Sequence, residues 1–464
     1  MRVCIVHYHL RPGGVTRVIE EHARHLCEQG VDVRILSGEA APRDFPDIEV
    51  LANPALGYRS ALLSGAELDE LAGWLLRHGG DGDTVYHVHN PSLGKNPALP
   101  LLVARMLEAG AAVVAHHHDF AEDARPWLYR ALSEEICSHL YPVHPRVRHL
   151  TTSPDFGRPL ISAGVPEAYV TAIPNPVAPP PWAGTSDPDN GVILYPTRAI
   201  RRKNLGEFLL WSALAPPGHR FAVTLAPAAD SAERTAYGQW KTAASQWRLP
   251  VDFLEGRPTP PVAVAATTSM QEGFGMAFAE PWLAGIPVAG RSLPAATRLL
   301  TEAGLRLERA YESIDVSRFP LPERFSQQRD RPPAPLGPEG CTAHALGPAV
   351  TDFKNLEADA QRAVIQAICR DKSLRDEIRF VTAEQGSQSA SAWLAAALAP
   401  ADPSEIERAA AVVRQVCDPA AVARILLDVY VDALRAPDTA PIDFACPKTM
   451  FSCWNRKSAD TPAT

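Results

Sequence analysis

Two carboxylates eight positions apart, Glu272 and Glu280, carry the most informative chemistry in this sequence. They stand in TTSMQEGFGMAFAEPWLAGIPVAG (267–290), with Gly273 and Gly275 between them and an apolar helix start behind. Glycines at such a place let backbone amides approach a ligand closely. Two carboxylates beside them can accept hydrogen bonds from vicinal hydroxyls, which ribose and sugar diols offer. TRAIRRKN (197–204) sets Arg198, Arg201, Arg202 and Lys203 within six residues, with no acid among them. Like charges this close repel unless an anion is present, so the segment reads as an anion site rather than a solvated loop. Upstream, Gly13-Gly14 precede an amphipathic helical pattern, where free N–H groups favour a phosphate. A strand–helix turn also wants glycine for local reasons, and both readings stand.

Histidines form the third group. HHHD (116–119) follows an apolar run, as do His7 and the pair His87 and His89. In an extended segment His116 and His118 share a face and His117 points away. Spacing nominates no third ligand, so no metal is assigned. DGD (81–83) reads as a turn and DPD (187–189) as linker, not as acidic metal motifs. Without a metal, positive side chains must carry the charge of any leaving phosphate.

The elements that position these residues alternate. RVCIV (2–6), a helix through Leu26 stopped by Gly30, and VDVRIL (31–36) make a βαβ unit, which implies a parallel sheet. Ser64 and Glu67 look like a capping box, and 84–89, 111–116, 149–153 and 169–175 read as further strands. After PVAPPPWAGTSDPDNG (176–191) the alternation restarts, with strands at 191–196, 221–226, 251–255, 262–268 and 286–289. The pattern predicts an α/β protein of two doubly wound, Rossmann-like domains facing each other across a cleft, with a helical C-terminal portion. The boundaries are an N-terminal domain over 1–176, a Pro-rich linker over 177–190, and a C-terminal domain over 191–435. Within the last, 317–351 reads as an irregular insertion and 352–435 as almost wholly helical; 436–464 reads as a frayed tail. In open parallel sheets ligands bind beyond the carboxyl ends of the strands, where the histidines, the cations and the glutamates all fall.

The chain has 464 residues and a formal charge of 45 − 53 = −8, which gives no basic face for nucleic acid. Its 44 prolines are about twice average usage and predict stiff connections. The eight cysteines show no CxxC or zinc-finger spacing. No secretory signal or membrane span is visible, so a soluble, cytoplasmic protein is expected.

Three stretches resemble the retaining glycosyltransferases of the GT-B fold, family 4 type. GGVTRVIEEHARHLCEQGVDVRIL resembles the opening glycine loop, helix and second strand of that family. TRAIRRKN places Arg198 and Lys203 at its arginine–lysine spacing, and EGFGMAFAEPWLAGIPV matches its two-glutamate signature. IPNPV (173–177) is similar to the stretch before its interdomain linker. The resemblance implies transfer of a hexosyl group from a UDP-, GDP- or ADP-linked sugar, with retention of anomeric configuration and without a metal or bound cofactor. Arg198 and Lys203 would neutralise the diphosphate and Glu280 would bind the ribose. Glu272 and the amides of Gly273, Phe274 and Gly275 would hold the donor sugar. Gly13 and Gly14 would approach the diphosphate or acceptor, and His118 would sit near the donor sugar. Where relatives carry a glycine pair and a glutamate after the 286–289 strand, RSLPAAT (291–297) stands here.

The alternatives within the same fold are a phosphorylase, an epimerase, or a non-catalytic sugar-nucleotide-binding module. Peripheral membrane contact fits relatives with lipid acceptors, but the basic stretch HPRVRH (144–149) is too short to argue it. The acceptor and the oligomeric state have no readable code.

Overall fold

A computed structural model describes the chain except for residues 42–44, 46, 81–82, 121–125, 229–230, 232, 329–350, 439 and 446–464. Most of the 317–351 segment, the start of DGD, Cys341, Cys446, Cys453 and the end of the tail therefore lie outside the described residues. The chain forms two units, Met1–Val177 together with the segment from Cys417, and Ala178–Val416.

The first unit is built on a parallel seven-stranded sheet. Its strands are β1 (Arg2–His7), β2 (Asp32–Ser37), β3 (Glu49–Ala52), β4 (Thr84–His89), β5 (Ala112–His117), β7 (Val147–Thr151) and β8 (Val170–Ala172), in the order β3-β2-β1-β4-β5-β7-β8. The short β6 (Pro142–Val143) stands outside this sheet. β4, β5 and β7 are buried along their whole length; besides apolar residues they bury His87, His89, His116, His117, Arg148 and His149. Alternate residues feed two cores. Cys4, Val6, Tyr86, Val88, Val113 and Val147 face the helices Gly65–Gly79 and Ala98–Glu108. Val3, Ile5, Val85, Val114 and Leu150 face the helix Gly14–Glu28. The Ser64–Glu67 capping box is present as the sequence predicts.

The second face carries a correction. The helix Pro419–Arg435 belongs to the first unit, not to the 191–435 domain of the sequence reading. Val422, Leu426, Val429 and Ala433 recur at helical spacing and join the core of Val3, Ile5 and Val85. Arg148 donates from Nε to Asp432 Oδ2 at 2.6 Å. Within the described start of the tail, Asp443–Phe444 is not frayed but pairs antiparallel with β6.

The second unit holds a parallel six-stranded sheet of β9 (Val192–Arg198), β10 (Phe221–Leu225), β11 (Val251–Phe253), β12 (Val262–Thr267), β13 (Val288–Arg291) and β14 (Ala310–Tyr311). Their order is β11-β10-β9-β12-β13-β14. The 177–190 segment is not a loose linker. Trp182 packs on the core of this unit, and Ser186 bridges Val262 beside the sheet. Nor is 352–435 wholly helical. β16 (Arg379–Thr382) and β17 (Gly386–Ser389) form an antiparallel sheet with β15 (Ser313–Asp315). These strands are short, and 63 residues lie between Asp315 and Arg379, a pairing that local periodicity cannot reveal. The described start of the expected insertion is anchored by the buried Phe319 and Phe325.

Candidate functional site

In each unit the strand order reverses beside its first strand, between β1 and β4 and between β9 and β12. Crevices at such reversals receive ligands in open α/β sheets. The polar residues singled out in the sequence fall at these two places.

In the second unit β9 ends at Arg198, and the turn Arg201–Lys203 follows. Asn204, at φ 55°, turns the chain into the helix Leu205–Leu214. The Lys203 carbonyl accepts from Tyr195 Oη at 2.7 Å and from Thr268 Oγ1 at 3.0 Å, so the turn is pinned to both β9 and the end of β12. Met270 N donates to Arg202 O at 2.8 Å, a further tie between the two loops. The side chains then meet: Lys203 Nζ donates to Glu272 Oε1, and Arg202 Nη1 donates to Glu272 Oε2 at 3.1 Å. Glu272 is only 5% exposed. Burial would raise its pKa, but the adjacent Lys203 and Arg202 charges, with hydrogen bonds from Lys203 and Ser269, outweigh that and hold it below the usual carboxylate range.

The glycine loop beyond Glu272 differs in detail from the expected helix N-terminus. Gly275, at φ 72°, leads into a single tight turn, Met276–Phe278, and Glu280 opens a four-residue helix, Glu280–Leu283. Glu280 therefore stands at the start of that helix, and it is buried. A Cβ on Gly275 would meet Phe278 Cδ2 at 2.8 Å, so packing as well as φ requires glycine there. Phe274 is buried.

In the first unit Gly13 precedes the helix Gly14–Glu28 with extended backbone, φ 177°. A Cβ there would meet nothing closer than Arg11 O at 3.8 Å, and both glycines are exposed. Neither strain nor packing demands glycine at position 13. His118 follows β5 and is buried; Nε2 lies 2.9 Å from His89 Nδ1, and burial pushes its pKa down to about 4, with Asp119 opposing. Asn90, at φ 54°, ties the strand ends together. Its Oδ1 accepts from His118 N at 2.8 Å, and its carbonyl accepts from Tyr8 Oη at 2.6 Å.

Within their own units the structure brings Lys203 to Glu272 and His118 to His89. Arg202, which the sequence reading left among the flanking cations, makes the second contact with Glu272; the four-cation run was the signal for it. Arg291, flagged only as a departure from the family pattern, also has a structural account. It is 1% exposed and donates to both oxygens of Glu207 (2.7 and 3.0 Å) and of Asp352 (2.8 and 2.9 Å). Glu207 also accepts from Asn204 Nδ2 at 2.9 Å, so this buried group reaches the residue after Lys203.

Residues 12–179 match the sequence profile described as Glycosyltransferase Family 4. Over 248 residues the chain is 30% identical to mannosylglucosyl-3-phosphoglycerate synthase of Petrotoga mobilis, a match spanning 45% of this chain and 48% of that relative. In structure it is similar to HepE of Anabaena in complex with UDP and glucose, with a TM-score of 0.54 at 14% identity, over 92% of this chain and 98% of that one. A glycosyltransferase of Rickettsia africae gives a TM-score of 0.53 at 13% identity, over 94% and 98%. The fold is that of the GT-B glycosyltransferases. In this GT-B chain the family profile covers most of the first unit, while the Lys203–Glu272 cluster lies in the second.

Proposed function

We propose that the chain is a retaining glycosyltransferase that moves a hexosyl group from a nucleotide diphosphate sugar to an acceptor hydroxyl. The observation that carries the reading is the meeting of Lys203, Arg202 and Glu272 at the β9–β12 reversal, where a buried carboxylate is kept ionised by two cations. Such an arrangement is suited to a ligand with a sugar at one end and a diphosphate at the other. Lys203 and Arg198 stabilise the departing diphosphate, the role a metal would otherwise fill. Glu280 accepts from the ribose hydroxyls. Glu272 and the amides of 273–275 hold the sugar, with His118 as a neutral hydrogen-bonding group near that donor sugar. The acceptor oxygen bonds to the anomeric carbon on the face from which the phosphate oxygen leaves, and the hydroxyl proton passes to that oxygen.

The similarity to the Petrotoga relative puts a mannosyl donor and a phosphorylated glucoside acceptor first on the panel. The chain is incubated with UDP-, GDP- and ADP-linked glucose and mannose, with and without magnesium, and nucleotide release and product anomer are read. A donor at about 100 times its Kd stabilises the fold by about 2.7 kcal/mol, which a thermal shift detects. Glu280→Ala is expected to abolish that shift. Lys203→Ala is expected to lower turnover about 10²–10³-fold, the scale of one lost transition-state contact. Wild-type turnover by Lys203→Ala, or no shift with any donor, would overturn the reading.

A further inference from the structure

The second face of the first sheet, apolar along most of its length, turns to histidine at the carboxyl ends of the strands. His87 and His89 alternate with Val88 on β4 and so share a face; His116 on β5 is the register partner of His89. His22 reaches the same place from the helix Gly14–Glu28. All four are buried, between 0% and 1% exposed. One ring nitrogen from each lies within 4.8 Å of every other.

What distinguishes this cluster from a self-satisfied polar core is the state of its nitrogens. Both ring nitrogens of His22, Nε2 of His89 and Nε2 of His116 are buried without a hydrogen-bond partner. Native interiors leave few such atoms, and each concentration of them asks for a missing partner. The opposite nitrogens are held: His87 Nδ1 lies 2.7 Å from Tyr430 Oη, and His89 Nδ1 lies 2.9 Å from His118 Nε2. Outer hydrogen bonds of this kind orient metal-bound imidazoles and fix their tautomer. A second chain on the other face needs no such partner. His149 Nε2 lies 2.9 Å from the Pro142 carbonyl, His149 Nδ1 3.0 Å from His117 Nε2, and His117 Nδ1 3.2 Å from Ser92 Oγ. The carbonyl can only accept, so each ring of that chain donates in one direction and every nitrogen is used.

We infer that His22, His87, His89 and His116 bind one divalent transition-metal ion. An all-imidazole set suits zinc, copper or nickel and not the oxygen-seeking calcium or magnesium. Metal–nitrogen bonds near 2.0–2.1 Å in a tetrahedron put ligand nitrogens roughly 3.4 Å apart, so the rings close in by about an ångström. His87 Nε2, now 3.1 Å from His116 Nδ1, exchanges that contact for the ion. The ion joins the first helix, β4 and β5, and through Tyr430 the C-terminal helix, so its role is to fasten the first unit. It is distinct from the diphosphate chemistry and does not rest on it.

The test uses the full chain, stripped with chelator, with Zn²⁺ and Co²⁺ as probes. About one tightly held equivalent of Zn²⁺, a rise in Tm, and intense visible bands of tetrahedral Co²⁺ are expected. His22→Leu should fold and, because the His22 ring nitrogens have no hydrogen-bond partner and the residue is buried on the helix with Val18, Ile19 and Leu26, keep the metal-free Tm of the wild type. It should weaken Zn²⁺ binding at least about ten-fold. His89→Gln should do the same if the first variant fails to fold. A folded wild type that retains no stoichiometric Zn²⁺ would overturn the inference. So would undiminished binding by a folded variant, since the ion would then sit on other histidines.

Discussion

At Glu272 burial and charge act in opposite directions, and the carboxylate stays ionised because two cations share it. Its folded pKa lies below the unfolded value of about 4.3, so its contribution to stability is present above that pH and is lost as pH falls through the folded value. Glu272→Gln should therefore lower the urea midpoint at pH 7, and the difference from wild type should narrow as pH falls below about 4. Equal midpoints at pH 7 would mean that the three-group contact contributes nothing. Gly13 supports an opposite kind of test. With extended backbone and room for a Cβ, Gly13→Ala should change stability by less than about 0.5 kcal/mol. If the backbone there meets a ligand, the same change should lower kcat/KM; a fully active variant would return Gly13 to an ordinary turn residue.

The elements are held in register by buried polar groups. Arg291 at the end of β13 joins Glu207, from the helix after Lys203, to Asp352, before the turn Phe353–Asn355. Burial alone would weaken the guanidinium charge, yet Asp352 and Glu207 push its pKa well above the usual value. Arg291→Met leaves two buried carboxylates together without their cation and should cost about 3–5 kcal/mol, read as a urea transition of the second unit. His7 on β1, His87 on β4, His118 after β5 and His149 on β7 act on stability through pH. Burial pushes His7 and His87 down to about 3, and His118 and His149 down to about 4. Unfolded histidine titrates near 6.5, so between about 6.5 and 4 the unfolded chain holds more protons than the folded one. Stability is then complete above about 6.5 and falls with pH, by about 1.4 kcal/mol per unit for each histidine. A Tm profile of the metal-free chain that stays flat from pH 7 to 5 would contradict this.

Over the whole molecule the two units are not two halves of the sequence. The chain leaves the first unit at Val177 and re-enters it at Cys417. The re-entering helix covers Val3, Ile5 and Val85 and meets His87 through Tyr430. A chain ending at Val416 should expose that core, and its first unit should lose its cooperative melting. Retention of a sharp transition would show that the helix only decorates the sheet.

The inner parallel strands were legible because strands buried on both faces are rich in apolar and β-branched residues, as in RVCIV, whereas the half-exposed edge strand Glu49–Ala52 gave no such run. Glu272, Glu280 and the cations were legible because glycine spacing and unopposed charge are local properties of the chain. Strand order is a nonlocal pairing, so only the tertiary structure put Lys203 and Glu272 side by side at a reversal and selected Arg202 as the second partner. The same reason hid the four-histidine cluster. His87 and His89 announce a shared face by their spacing, but His116 and His22 reach it through sheet pairing and helix packing, which no interval along the chain encodes. The C-terminal helix showed its apolar stripe in the sequence; which of the two sheets it covers was decided by where that stripe found an uncovered face.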